Sequence, residues 1–222
     1  GNEMKNITDS RFITTDDPKS QQFVFQLPKE WETRPYEYEW AKNFADKNEI
    51  VLDAACGLGH PLKFYLSEIC KHTFACDIDE RLLDSKAILL DMKETYTHDD
   101  IQEGNVQRLL NNLSMNCCSL TDLPYSGQLF DKIFCISVIE HLSIEDIYKS
   151  LVEFKRVLKE DGLIILTCDY PTIDLDMFNR MIHEAGLTFF DHVTFTRPSN
   201  VLTSTIWGEL SCFRAVLKKN KG

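Results

Sequence analysis

The sequence predicts an α/β fold: a doubly wound, mostly parallel sheet of seven strands, with a C-terminal antiparallel strand and an N-terminal helical lid. Three observations carry this. Short apolar, strand-like runs alternate with helical stretches between residues 49 and 168. The first of those runs ends in a turn of small residues, Ala55-Cys56-Gly57-Leu58-Gly59, directly before a helix. Beyond residue 186 the alternation stops, and two apolar runs, 187–190 and 210–217, read as a closing pair of strands.

In chain order, residues 1–20 are polar and read as a flexible N-terminus. Residues 21–222 read as a single domain, of which 21–48 form the lid segment, rich in aromatics that include Trp31, Tyr36, Tyr38, Trp40 and Phe44. Residues 49–54 have few polar side chains, as a parallel strand covered on both faces requires. A helix over 61–70, a strand over 72–76 and a helix from about Glu80 follow. The stretch 96–112 exceeds what a simple crossover needs and predicts an extra short helix. Strands over 115–118, 132–136 and 163–168 complete the parallel set, with an amphipathic helix over 144–158 before the last.

Composition narrows the function classes. Apolar residues make up 43% of the 222 and charged residues 27%, a globular balance. No apolar run approaches the roughly 20 residues that span a bilayer, and no signal-peptide core is present, so a cytoplasmic protein without a membrane partner is expected. A net charge of −11 argues against nucleic acid as partner. None of the eight cysteines forms a C-x-x-C pair, which leaves reduced, buried thiols as the expectation and no metal site in the spacing.

The chemistry concentrates at the strand ends. The small-residue turn after Asp53 lets a ligand approach the backbone at a helix start. Asp77 lies 18 residues after Gly59, at the end of the next strand, where a carboxylate can accept from both hydroxyls of a ribose. A third element, Phe130-Asp131-Lys132-Ile133 leading to Ile139-Glu140-His141-Leu142, sits where the fourth strand ends. A dinucleotide fingerprint would need glycines at 55, 57 and 60, and the chain has Ala55, Gly57 and His60.

Val51-Leu52-Asp53-Ala54-Ala55-Cys56-Gly57-Leu58-Gly59, Cys76-Asp77-Ile78-Asp79, Leu120-Thr121-Asp122-Leu123-Pro124-Tyr125 and the Phe-Asp-x-Ile…Ile-Glu-His-Leu pair together resemble the motifs of class I S-adenosylmethionine-dependent methyltransferases, whose fold is Rossmann-like. The resemblance covers roughly residues 49–168. It implies S-adenosylmethionine as cofactor. The backbone at Ala55, Cys56, Gly57 and Gly59 would pass the methionine and sugar, and Asp53 would shape the loop near the amino group. Asp77 would hold the ribose, Ile78 would lie on the adenine, and Ile136 would run beside the methionine chain. Ser119 stands where an acidic side chain often meets the adenine amine, and Leu120 would offer its N–H to the ring. Ala55 in place of the commonest first glycine and Ser119 in place of aspartate are the two departures.

The methyl donor's leaving group is good enough that positioning can supply much of the rate, and a base is needed only for a hydroxyl acceptor. His141 is the candidate base; a histidine merely opening a helix is the competing reading. Asp169 and Tyr170 share that edge, where turn chemistry before Pro171 also accounts for them. His183 and His192 read as structural or solvated. Trp31, Arg34, Tyr36 and Tyr38 are expected to close over the cofactor, with Arg34 near its carboxylate, and the loop 193–208, with Arg197 and Trp207, is the second candidate for acceptor contact. The acceptor is expected to be a small molecule methylated on oxygen or nitrogen, with a protein or peptide acceptor as alternative and a non-catalytic S-adenosylmethionine-binding module as the remaining reading.

Overall fold

A computed structural model describes residues 7–96, 101–206 and 208–222. Its strands are β1 (Arg11–Phe12), β2 (Gln22–Phe23), β3 (Phe25–Gln26), β4 (Ile50–Ala54), β5 (His72–Asp77), β6 (Leu113–Cys117), β7 (Phe130–Ile136), β8 (Leu158–Tyr170), β9 (Leu187–Phe189), β10 (Thr203–Ser204) and β11 (Leu210–Lys219). The helices are α1 (Arg34–Ala41), α2 (Leu62–Ile69), α3 (Ser85–Thr95), α4 (Glu103–Leu110), α5 (Ile144–Val157) and α6 (Leu175–Glu184). No helix among the described residues is long and apolar enough to cross a membrane.

The main sheet runs β1-β11-β8-β7-β4-β5-β6, parallel from β8 to β6 and antiparallel where β11 joins β8. Its strands are apolar on both faces. Successive residues of β7 go to opposite cores, Ile133 and Cys135 to one and Phe134 and Ile136 to the other, and β8 does the same with Ile164, Ile165 and Leu166. One core receives α5 and α6; the other receives α1 to α4. That period of two, sustained in neighbouring strands, is why the parallel strands read as continuous apolar runs. Asp131 ties the start of this layer together, since Oδ2 accepts the Ile50 N–H at 2.9 Å while Lys159 donates to both its oxygens at 3.1 Å.

Among the described residues the expected seven-stranded sheet carries two further strands, β1 and β10, which with β9 tile the outer edge of β11. β9 pairs at Leu217–Lys219, β1 at Phe213 and Arg214, and β10 at Leu210 and Ser211. Together they cover an edge that would otherwise expose a row of unpaired backbone groups. Residues 1–6 lie outside the described residues; within the N-terminal stretch that is described, β1 is paired on this edge and Phe12 and Ile13 are each 1% exposed. The 21–48 segment is α-helical only over α1; before it comes the β2–β3 hairpin, whose turn residue Val24 has φ +63°.

Candidate active site

The order of the sheet reverses at β4. The chain leaves β4 for α2 on one face and β5 beyond it, whereas β7, on the other side of β4, leads to α5 on the opposite face. The carboxyl ends of β4 and β7 therefore part around a crevice, the place where open α/β sheets bind ligands. A cavity of about 200 Å³ fills it, walled by Asp53, Ala55, Gly57, Asp77, Ile136 and, from α1, Arg34. Tyr38, Cys56, His60, Leu62, Ser137 and Val138 complete the wall.

The turn after β4 is held from below and from the side. Ala55 and Gly57 both take the left-handed conformation, φ +56° and +66°. Cys56 N–H donates to Cys76 O at 2.8 Å and Gly57 N–H to Asp77 Oδ2 at 2.9 Å, which staples the turn to the end of β5. A Cβ on Gly57 would lie 2.3 Å from His60 Nδ1, so this backbone leaves no room for a side chain. Beneath the turn Lys63, wholly buried, donates to Cys56 O at 3.2 Å and His60 O at 2.8 Å. Burial pushes Asp53 up to about 7, with Lys63 opposing and Asp77 adding to the rise; burial drives Lys63 down. Asp77 Oδ1 accepts the Asp79 N–H at 3.0 Å, so each carboxylate oxygen makes one backbone bond and keeps a lone pair for a ligand.

Glu37 anchors α1 beside the crevice. Its carboxylate is fully buried and accepts from Ser137 Oγ and Thr167 Oγ1, both at 2.6 Å, and from Thr33 Oγ1 at 2.9 Å. Arg34 lies 3.8 Å from Glu37 and donates to Ile136 O at 3.3 Å. Ser137, at the end of β7, has φ +53° and donates its N–H to Thr167 O at 3.0 Å. Trp31 stacks on His60, centroids 5.2 Å apart and planes 12° from parallel. Burial, then Arg34 and Lys63, lower His60 to about 3, which keeps this ring neutral.

Beyond Arg34, His60 and Ser137, which it shares with the first cavity, lies a second of about 610 Å³. Its other walls include Glu30, Trp31, Glu32, His141, Asp169 and Ile206. Glu32 fastens the far wall, accepting from the N–H groups of Thr205 at 3.2 Å and Ile206 at 3.1 Å.

Of the residues singled out from sequence, Arg34, Asp53, Ala55, Cys56, Gly57, Asp77 and Ile136 meet at the first cavity. Gly59 does not. Its N–H donates to Asp91 Oδ2 at 2.9 Å, its carbonyl accepts from Tyr96 Oη at 2.7 Å, and a Cβ there would sit 2.6 Å from Asp91, so this glycine lets α3 approach the turn. Ile78 is 76% exposed beside Asp77, an uncovered apolar shelf. Ser119 and Leu120 follow β6, which pairs with β5, and Cys118 N–H donates to Asp77 O at 3.0 Å. Ser119 Oγ is bonded to Thr121 Oγ1 at 2.7 Å, and the Leu120 side chain is buried in the core. Tyr38 lines the first cavity, whereas Tyr36 packs with Ile13 and Cys212 away from it. Arg197 lies over the Tyr170 ring at 5.1 Å, and Trp207 lies outside the described residues. Among the described residues no three His, Cys, Asp or Glu side chains converge as metal ligands. Sequence reasoning missed Glu37 and Lys63. The signal for Lys63 was a lysine on the apolar face of a helix; Glu37, inside an acidic and aromatic stretch, gave none.

Comparison with known proteins gives the family and the fold. The family model described as a methyltransferase domain matches residues 52–166. An uncharacterized protein of Methanocaldococcus jannaschii is 29% identical over 126 residues, 56% of this chain and 43% of its own length; the chain thus spans less than half of that curated relative. Three solved structures share the fold. A 1,6-didemethyltoxoflavin-N1-methyltransferase of Burkholderia thailandensis matches with TM-score 0.58 at 15% identity, over 86% of this chain and 80% of its own. A TehB-like SAM-dependent methyltransferase of Corynebacterium glutamicum matches with TM-score 0.56 at 19% identity, over 82% and 86%. A SAM-dependent methyltransferase of Aquifex aeolicus matches with TM-score 0.54 at 17% identity, over 90% and 94%.

Proposed function

The chain belongs to the methyltransferase-domain family, and from that premise we propose that it methylates an oxygen or nitrogen atom of a small molecule seated in the second cavity. The cofactor is S-adenosylmethionine, which supplies a sulfonium methyl whose leaving group is a neutral thioether. The observation that carries the acceptor reading is the adjacency of the two cavities through Arg34, His60 and Ser137. One cavity has the donors and acceptors an amino acid and a ribose need; the other, walled in by the N-terminal segment and β10, has the volume of a small molecule.

In this reading the left-handed turn at Ala55 and Gly57 presents bare backbone to the methionine and sugar. Asp77 receives the ribose hydroxyls on the lone pairs that Gly57 and Asp79 leave open. Ile78 offers its exposed face to the adenine, with Ser119 and the Leu120 N–H at the ring edge. Arg34 faces the carboxylate and Asp53 the amino group, at the end of the cavity bounded by Ile136. His141, on the wall of the second cavity, takes the proton from a hydroxyl acceptor. Exclusion of water falls to Trp31 and the Glu37 anchor.

The reading is tested by following formation of S-adenosylhomocysteine from S-adenosylmethionine across libraries of small molecules, peptides and proteins. Acceptor-dependent turnover with a small molecule is expected. Turnover with folded proteins or peptides alone would replace the small-molecule acceptor with the alternative, and cofactor binding without turnover on any substrate would leave a binding module.

A further inference from the structure

The second cavity is unbalanced in charge. Its wall carries three carboxylates, Glu30, Glu32 and Asp169, against one guanidinium, Arg34. Arg34 is already engaged with Glu37 and the Ile136 carbonyl, and His60 is held neutral by its burial. Glu32 faces backbone N–H groups, which carry no net charge. Behind Asp169 stands Glu140, 7% exposed, whose Oε2 accepts the Asp169 N–H at 2.7 Å while Oε1 is buried without a hydrogen-bond partner. Burial, with Asp169 next, pushes Glu140 up to about 8, and burial, with Glu37 next, raises Asp169. Burial is the first cause of both shifts, and the neighbouring carboxylates that add to it, Asp169 for Glu140 and Glu37 for Asp169, make an incoming cation favourable beside them. Trp31 adds an indole to the same wall, a surface that suits an ammonium group.

We propose that the acceptor is a small amine that enters this cavity as a cation, drawn by Asp169, Glu30 and Trp31, and that its nitrogen receives the methyl group. This rests on the methyltransferase reading and narrows its acceptor atom from oxygen or nitrogen to nitrogen. The ammonium R–NH3+ first gives one proton to His141, which returns it to solvent. The nitrogen lone pair then forms the N–C bond as the sulfonium C–S bond breaks, and the electrons of that bond stay on sulfur. The products are R–NH2–CH3+ and the neutral thioether, so charge and atoms balance.

The test uses the full chain loaded with S-adenosylhomocysteine and three probes of one shape, benzylamine, benzyl alcohol and benzoate, titrated by calorimetry. Benzylamine is expected to bind about tenfold or more tightly than either of the others, from charge complementarity alone. Asp169→Asn and, separately, Glu30→Gln are each expected to cut that preference by about threefold or more, the loss of one opposite charge near the ligand. Glu145→Gln, exposed on α5, is expected to leave it unchanged. Equal binding of the three probes, no binding of benzylamine at millimolar concentration, or a preference that survives both cavity variants overturns the proposal. The loading step separates the two claims. Failure to bind S-adenosylhomocysteine defeats the methyltransferase reading itself; binding without a charge preference defeats only the amine.

Discussion

Ala55, like Ser137, is a wall residue whose backbone works against its side chain. At φ +56° it occupies the left-handed region, which costs an L-residue about 1–2 kcal/mol, and the small-residue turn places it where glycine would pay nothing. The staple from Cys56 N–H to Cys76 O and the bond from Gly57 N–H to Asp77 over-determine that conformation, so it persists. Ala55→Gly is therefore expected to raise the free energy of unfolding by roughly 1 kcal/mol, read from urea denaturation. An unchanged or lower midpoint would mean that the strain is relieved elsewhere. Gly57→Ala acts in the opposite sense, because its φ of +66° and the 2.3 Å approach of His60 both oppose a side chain. Asp77 also does more than its sequence position suggested, since it organises the turn as well as lining the first cavity.

At the scale of elements, α1 is joined to the sheet chiefly by the buried carboxylate of Glu37, with Arg34 adding a bond to the Ile136 carbonyl. Removing Glu37 leaves the hydroxyls of Ser137 and Thr167 without their acceptor and Arg34 without its anion. Glu37→Ala is expected to cost about 3 kcal/mol and to speed hydrogen exchange in α1 while α5 stays protected. Equal exchange in the two helices would show that the segment is held by its aromatic packing instead. The contrast with the sequence is instructive here. The parallel strands and the turn after β4 were legible because two-sided burial leaves unbroken apolar runs and a tight turn needs small residues. Asp77 was legible from its place at a strand end, and Arg34 from its place in the aromatic segment before the first parallel strand. Glu37 was not, because its partners, Ser137 and Thr167, lie 100 and 130 residues away and only the fold brings them together. β1 and β10, two residues each, are too short for any periodicity, and Val24 turns the β2–β3 hairpin without the glycine that signals such turns.

For the whole molecule, buried ionisable groups set a pH dependence whose sign can be worked out. Asp53 and Glu140 are raised to about 7 and about 8, so the folded state binds protons that the unfolded chain has released. Their stabilising contribution is full below the unfolded carboxyl values and is lost as pH rises through 7 and 8. His60, lowered to about 3, acts oppositely but only below its unfolded value of 6.5. Between pH 6.5 and 8 these two carboxyl groups together take away on the order of 2 kcal/mol of the ligand-free protein's stability, with Lys63, lowered by burial, acting in the opposite sense. A flat profile there in wild type, or the same slope in Asp53→Asn/Glu140→Gln, would contradict the assignment. The central claim is that the crevice between α1 and the turn after β4 is built for S-adenosylmethionine, and calorimetry on the full chain tests it most directly. S-adenosylmethionine and S-adenosylhomocysteine should bind with dissociation constants on the order of micromolar. NAD should bind far more weakly, and Asp77→Ala should weaken the adenosyl ligands by about 1.5–3 kcal/mol while the chain stays folded. Preferential binding of NAD, or unchanged adenosyl affinity in Asp77→Ala alongside a collapsed melting temperature, would contradict the account.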